Sequence, residues 1–195
     1  MGMHIGLVAA KASVSQLRDA FVKSWSQFEV VASEENLRDA EAMWEWKESR
    51  EQFVSAAEWS KENPGREVYC FWQDGPWAVM MDASYTLASD AELLQSLSAM
   101  LGTVLSFVVE TAGGCAFFAC YENGALRRQI NNSNGDVSAE GEPLPEEAGI
   151  DANNYYIDET EALWKAFGFP RYEEMPTSQG CQAICVIDHT DYDEL

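Results

Sequence analysis

The chain is 195 residues long, with 47% hydrophobic, 12% aromatic and 23% charged residues. That content excludes a disordered or fibrous protein, and the length suits one domain with a sizeable core. With 33 acidic residues against 12 basic ones the formal charge is −21, which opposes direct binding to nucleic acid or to anionic lipid.

Taken in order, Met1-Gly2-Met3-His4-Ile5-Gly6 has no basic stretch leading into an apolar run. No secretory signal is therefore expected, and the expected compartment is the cytoplasm. Ile5 to Ala10 reads as a short buried strand. Ser13 or Ser15 then caps a helix carrying Leu17, Ala20, Phe21 and Trp25 at spacings of three and four. Phe28 to Val31 suits another short strand. From Ser33, an N-cap residue type, to about Lys61 the chain is rich in Glu, Ala, Lys and Arg, which predicts helix. Its apolar stripe runs through Leu37, Ala40, Trp44, Phe53 and Ala57, with a break expected near Glu48 to Gln52 and a stop at Asn63-Pro64-Gly65.

Glu67 to Trp72 and Trp77 to Met81 read as strands around an Asp74-Gly75-Pro76 turn. Ser89 is the expected cap of a helix with Leu93, Leu94, Leu97 and Leu101, stopped by Gly102. From Leu93 to Tyr121 the one charged residue is Glu110, a stretch long enough to span a bilayer. The β-branched and aromatic texture on either side of Thr111-Ala112-Gly113-Gly114 instead predicts two buried strands, Thr103 to Val109 and Cys115 to Tyr121. Asn123-Gly124 is a type I′ signal that pairs the second of them with Ala125 to Ile130. Asn131 to Gly135 reads as a turn-rich loop and Glu140 to Glu147 as an extended loop stiffened by Pro143 and Pro145. A short helix over Thr160 to Phe167 and a strand over Ala183 to Ile187 complete the elements. The expected class is α+β, with residues 1–195 forming a single, mainly antiparallel domain whose helices pack on one face. A helical insertion over 33–63 and a flexible tail over 188–195 are expected with it.

Motifs for chemistry are sparse. The histidines His4 and His189 are the two available bases, and no nucleophile elbow, phosphate loop or dinucleotide fingerprint can be written. Cys70, Cys115, Cys120, Cys181 and Cys185 are odd in number and suit small buried hydrophobes in a reducing compartment. Cys115 and Cys120 are five residues apart on a strand, so their sulfurs should face opposite ways and cannot chelate together. Asn132, Asn134 and Asp136 alternate as oxygen ligands, but Val137 and Pro143 stand where an EF-hand loop has Gly and Glu. No cofactor or metal is expected.

Charge is spread unevenly. Glu67 to Leu126 holds seven acidic residues and no basic one; Gln129 to Leu195 holds fifteen acidic residues against Lys165 and Arg171. Such a surface either solvates the protein or steers a basic partner onto it. The candidate steering groups are Glu140, Glu142, Glu146 and Glu147 in the acidic loop and Asp188, Asp191 and Asp193 in the tail. Trp44 and Trp46 cannot both face one helical stripe, so one of them is the candidate aromatic anchor.

Pro76 to Phe169, about half of the chain, carries a strand, a short helix (Asp90 to Leu101), a strand and an aromatic hairpin, Phe117-Phe118-Ala119-Cys120-Tyr121-Glu122-Asn123-Gly124. An Arg-bearing strand, the acidic loop Gly141 to Glu147 and a helix entered through acidic residues (Asp158 to Phe167) follow. This succession resembles a group of small bacterial proteins, many of which are similar to immunity proteins of toxin systems or accompany them. The resemblance implies a non-enzymatic inhibitor that occludes a basic toxin or effector domain, and it supplies no catalytic residues. Two alternatives stay open: an enzyme with a carboxylate- or metal-based site, and an acidic nucleic-acid mimic that blocks a DNA-binding protein. Nothing in the residues sets the oligomeric state.

Overall fold

Four tight hairpins build much of the sheet, each at a turn whose residues accept the required backbone. A computed structural model describes residues 4–25, 27–54, 60, 63–82, 84–170, 174, 176 and 179–189. Strands β1 (His4–Ala10), β2 (Phe28–Glu34), β3 (Glu67–Asp74), β4 (Trp77–Met81), β5 (Thr103–Glu110), β6 (Cys115–Glu122), β7 (Ala125–Ser133), β8 (Asp136–Glu140) and β9 (Gln182–Asp188) form one antiparallel sheet. Its order is β2-β9-β3-β4-β1-β5-β6-β7-β8. The helices are α1 (Val14–Ser24), α2 (Ala40–Glu48), α3 (Ala91–Leu101) and α4 (Ile157–Ala166). The expected α+β antiparallel class is thus the observed one.

The turns explain the meander β5–β8. Asn123 and Gly124 have φ of 51° and 82°, the positive pair that a two-residue type I′ hairpin needs. Asn134 and Gly135 repeat the device with φ of 53° and 94°, so the expected loop at Asn131 to Gly135 is the end of β7, a tight turn and the start of β8. Thr111 to Gly114 joins β5 to β6 as expected. Among the described residues no helix is long and apolar enough to cross a membrane.

Helices cover both sheet faces, which corrects the expectation of one. Alternation sends Val8, Phe71, Met80, Val104 and Ala119 to a core with α1 and α3. Leu7, Trp72, Val79, Phe107 and Phe118 go to the opposite core, under α2 and α4. A strand buried on both faces reads as a continuous apolar run, and β1, β4 and β5 do. The α4 face centres on aromatic rings: Phe107 lies 5.1 Å from Phe118 and 5.2 Å from Trp164, while Trp77 Nε1 donates to the Phe167 carbonyl at 3.2 Å.

Capping fixes the helix starts. Ser13 and Gln16 form a reciprocal capping box on α1, and the Asp90 carboxylate accepts from the Leu93 amide at 2.7 Å on α3. Asp90, not Ser89, is the α3 cap. The long helix expected from Ser33 to Lys61 is absent as such among the described residues. Ser33 and Glu34 belong to β2, because pairing with β9 overrides local helix propensity. The helix starts at its Asp39 cap and ends at Glu48. Gln52 then bridges to Arg66 in extended form. Residues 55–59, with the expected stripe position Ala57, lie outside the described residues.

Candidate functional site

The acidic loop is built from β7 outwards. On β7 the positions facing the α4 core are Arg128, Ile130 and Asn132, all buried. A guanidinium there needs a carboxylate, since an unpaired buried charge is costly. Arg128 Nε donates to Glu147 Oε1 at 2.9 Å and Nη2 to Oε2 at 2.8 Å. Its Nη1 donates to the Gly141 carbonyl at 2.8 Å, and the Leu144 amide donates to Glu147 Oε1 at 2.9 Å. One planar fork therefore latches both ends of residues 141–147 against the sheet. Gly141 is required at this point. Its φ is +81°, and a Cβ would lie 2.1 Å from the Arg127 carbonyl oxygen. Asn132 holds the next stretch, donating to the Tyr155 carbonyl at 2.7 Å and accepting from the Gly135 amide at 2.8 Å. Its side chain is committed to the hairpin, not offered as an ion ligand.

The latch sorts the acidic residues. Glu147 was expected to steer a partner, but it is 6% exposed and neutralised by Arg128, so it leaves that set. Glu140 and Glu142 are exposed, as are Asp136 and Asp151, and Glu146 is half-buried. Hydrogen bonds from the Asn154 side chain and the Asn153 amide hold the Asp151 carboxyl below its usual range. Arg127, the remaining cation of β7, pairs with Glu122 at 3.2 Å. Among the described residues Asp136, Glu140, Glu142 and Glu146 have no ion partner.

The other expected site residues lie at the opposite end of the sheet. Trp44 and Trp46 sit on α2, which packs on β9 and β3; both are half-buried at the rim of the α2/α4 core. The Arg50 guanidinium stacks 4.3 Å over the Trp46 ring, covering it. Asp188 is half-buried at the end of β9, opposite Phe28 of β2. Asp191 and Asp193 lie outside the described residues. Six to seven interstrand spacings separate β3 and β9, which carry this group, from β8, about 29–34 Å before twist. The expected residues therefore form two separate groups, toward opposite ends of the sheet. Val30 and Val31 of β2 are exposed apolar groups, and Phe53, beside the Gln52–Arg66 bridge, is 90% exposed. The apolar helical stripe expected through Phe53 is thus not formed there.

Remaining candidates for chemistry are engaged elsewhere. His4 Nδ1 lies 2.9 Å from Glu110 and His189 Nε2 lies 2.8 Å from Glu29, both at the surface. Cys115 faces the α1/α3 side and Cys120 the opposite core, as strand parity requires. Burial pushes the Cys70 and Cys120 thiols up to about 12, so they stay protonated near neutrality. The buried Asp82 carboxylate accepts from the Leu87 and Ala88 amides at 2.8 and 2.9 Å and so caps the 3₁₀ turn Leu87–Ser89. Among the described residues no three His, Cys, Asp or Glu side chains gather at metal-binding range.

Compared with known protein families, curated proteins and solved structures, the chain matches none.

Proposed function

We propose that this chain is a non-enzymatic, acidic binding protein of the immunity type. It occludes a basic toxin or effector domain and docks it at the β8 end of the sheet. The observation that carries this reading is the group of carboxylates left without an ion partner beside two arginines already spent. Arg128 is consumed inside the fold by Glu147 and Arg127 by Glu122, so the field of Asp136, Glu140, Glu142 and Glu146 reaches solvent. The latch also fixes the loop before a partner arrives, which lowers the ordering cost of binding. Its five free cysteines, four of them buried, suit action in the reducing cytoplasm.

The test is affinity capture from a lysate of the source organism, with salt-gradient elution and mass spectrometry, followed by kinetics on the captured protein. A basic protein should be held stoichiometrically. Its association with an E140K/E142K/E146K variant should slow by about tenfold or more at low salt, with a flatter salt dependence. Unchanged association kinetics in that variant would remove the β8 end from the account.

A further inference from the structure

The two edges of the sheet are not equivalent. At β2 the ladder shifts register between Val30 and Ala32, a bulge that interrupts the outer edge. At β8 the ladder runs without a shift from Ser133↔Asp136 to Gln129↔Glu140. The two-residue Asn134-Gly135 turn makes Ser133 and Asp136 a hydrogen-bonded pair, so by alternation Ser138 and Glu140 also bond to β7. The N–H and C=O groups of Val137 and Ala139 then point away from the sheet. No backbone hydrogen bond among the described residues uses them.

We propose that this edge receives an extended basic segment of the partner as an added antiparallel strand. The inference rests on the reading of the β8 end as the docking end, and specifies how docking occurs. Charge selects the occupant. Asp136, Ser138 and Glu140 share one face of β8, and two copies of this edge paired about Ser138 would set Asp136 opposite Glu140 twice. That repulsion, on top of −21 per chain, excludes a second copy. A strand with Lys or Arg at two positions four residues apart places a cation opposite each carboxylate. Its intervening positions fall beside Val137 and Ala139, where Val137 packs against the core with Ile150 and Ala152, and call for apolar side chains. Acidic side chains on an open edge thus act as a guard against self-association and as the recognition element for a basic strand.

The probe is a capped peptide, Thr-Lys-Val-Ser-Val-Lys-Thr, titrated into the full chain and followed by amide chemical shifts. Saturable shifts should centre on Val137 and Ala139, with affinity about tenfold above that of the scrambled Val-Lys-Lys-Ser-Thr-Thr-Val. Ala139→Pro removes one outward donor and spares the β7 ladder, and should cut peptide affinity about tenfold. N-methylation of the peptide amides that face β8 should do the same on the unaltered protein, which covers the case in which A139P disturbs the fold. Equal binding of both peptides, binding indifferent to both N-methylation and A139P, or no binding at all overturns strand addition. If strand addition fails while E140K/E142K/E146K still slows the captured partner, the docking end stands and only the mode falls. If that variant has no effect either, both fall.

Discussion

The β2 half and the β8 half of one sheet handle charge and chain order in opposite ways. In the β2 half several cations stay at or near the surface beside acids or aromatic rings. Arg18 pairs with Asp19 and Glu35 at 2.8 and 2.7 Å, Lys47 with Glu51, and Lys11 lies 5.1 Å over the Trp77 ring. In the β8 half Arg128 is buried and serves the fold, Arg127 is taken by Glu122, and among the described residues Asp136, Glu140, Glu142 and Glu146 have no ion partner. The lesson is that net charge alone does not make a docking surface. What matters is where the fold uses up its cations.

The largest expected effect breaks the latch. Glu147→Gln leaves Arg128 buried without its counter-charge and should cost about 3–5 kcal/mol in urea unfolding. Loop 141–147 should then gain hydrogen exchange. Joint replacement by R128M/E147L should cost much less, since no unpaired charge remains. Asn132→Ala strands the Gly135 amide and the Tyr155 carbonyl and should cost about 1–3 kcal/mol. In the β2 half Arg18→Ala should cost about 1 kcal/mol or less and less still in high salt, because its partners are exposed. If R18A matched E147Q, the contrast between the halves would be wrong.

The last expected effects concern the thiols and, for stability, appear only at alkaline pH. At pH 8 a disulfide reagent should label Cys115, which is half-buried, ahead of Cys70 and Cys120, which burial holds at about 12. A raised folded value has a definite sign for stability. Above the free-thiol range of about 8.5 the unfolded chain loses these protons first, so stability should fall as pH rises from there towards 12. Denaturant midpoints across that range check it, with Cys70→Ser and Cys120→Ser variants as controls.

The same division marks what could be read in the residues. The meander β5–β8 consists of neighbours in the chain joined by tight turns, and Gly113-Gly114 and Asn123-Gly124 announced two of those turns locally. The third, Asn134-Gly135, carried the same signal but sat in a polar run that looked like loop. Apart from the β3–β4 hairpin, the β2 half depends on distant partners. The C-terminal strand β9 inserts between β2 and β3, and no local pattern states that pairing. This is why the helix-prone run beginning at Ser33 starts as strand, paired to Ile184 and Ala183. The Arg128–Glu147 latch was hidden for a related reason. Strand parity places Arg128 beside Ile130's face, but an acidic loop offers several carboxylates and the fold selects the one that reaches inward.

The most direct test of the central claim holds net charge constant and moves its position. Association of the alternating Lys/Val peptide would be measured at low salt with D136K/E140K, at the β8 end, and with E29K/E34K, at the β2 end. The account predicts that the first variant slows association about tenfold or more and that the second changes it far less. Equal slowing by both would mean that total charge, not the unpaired carboxylates beside β8, draws the basic partner.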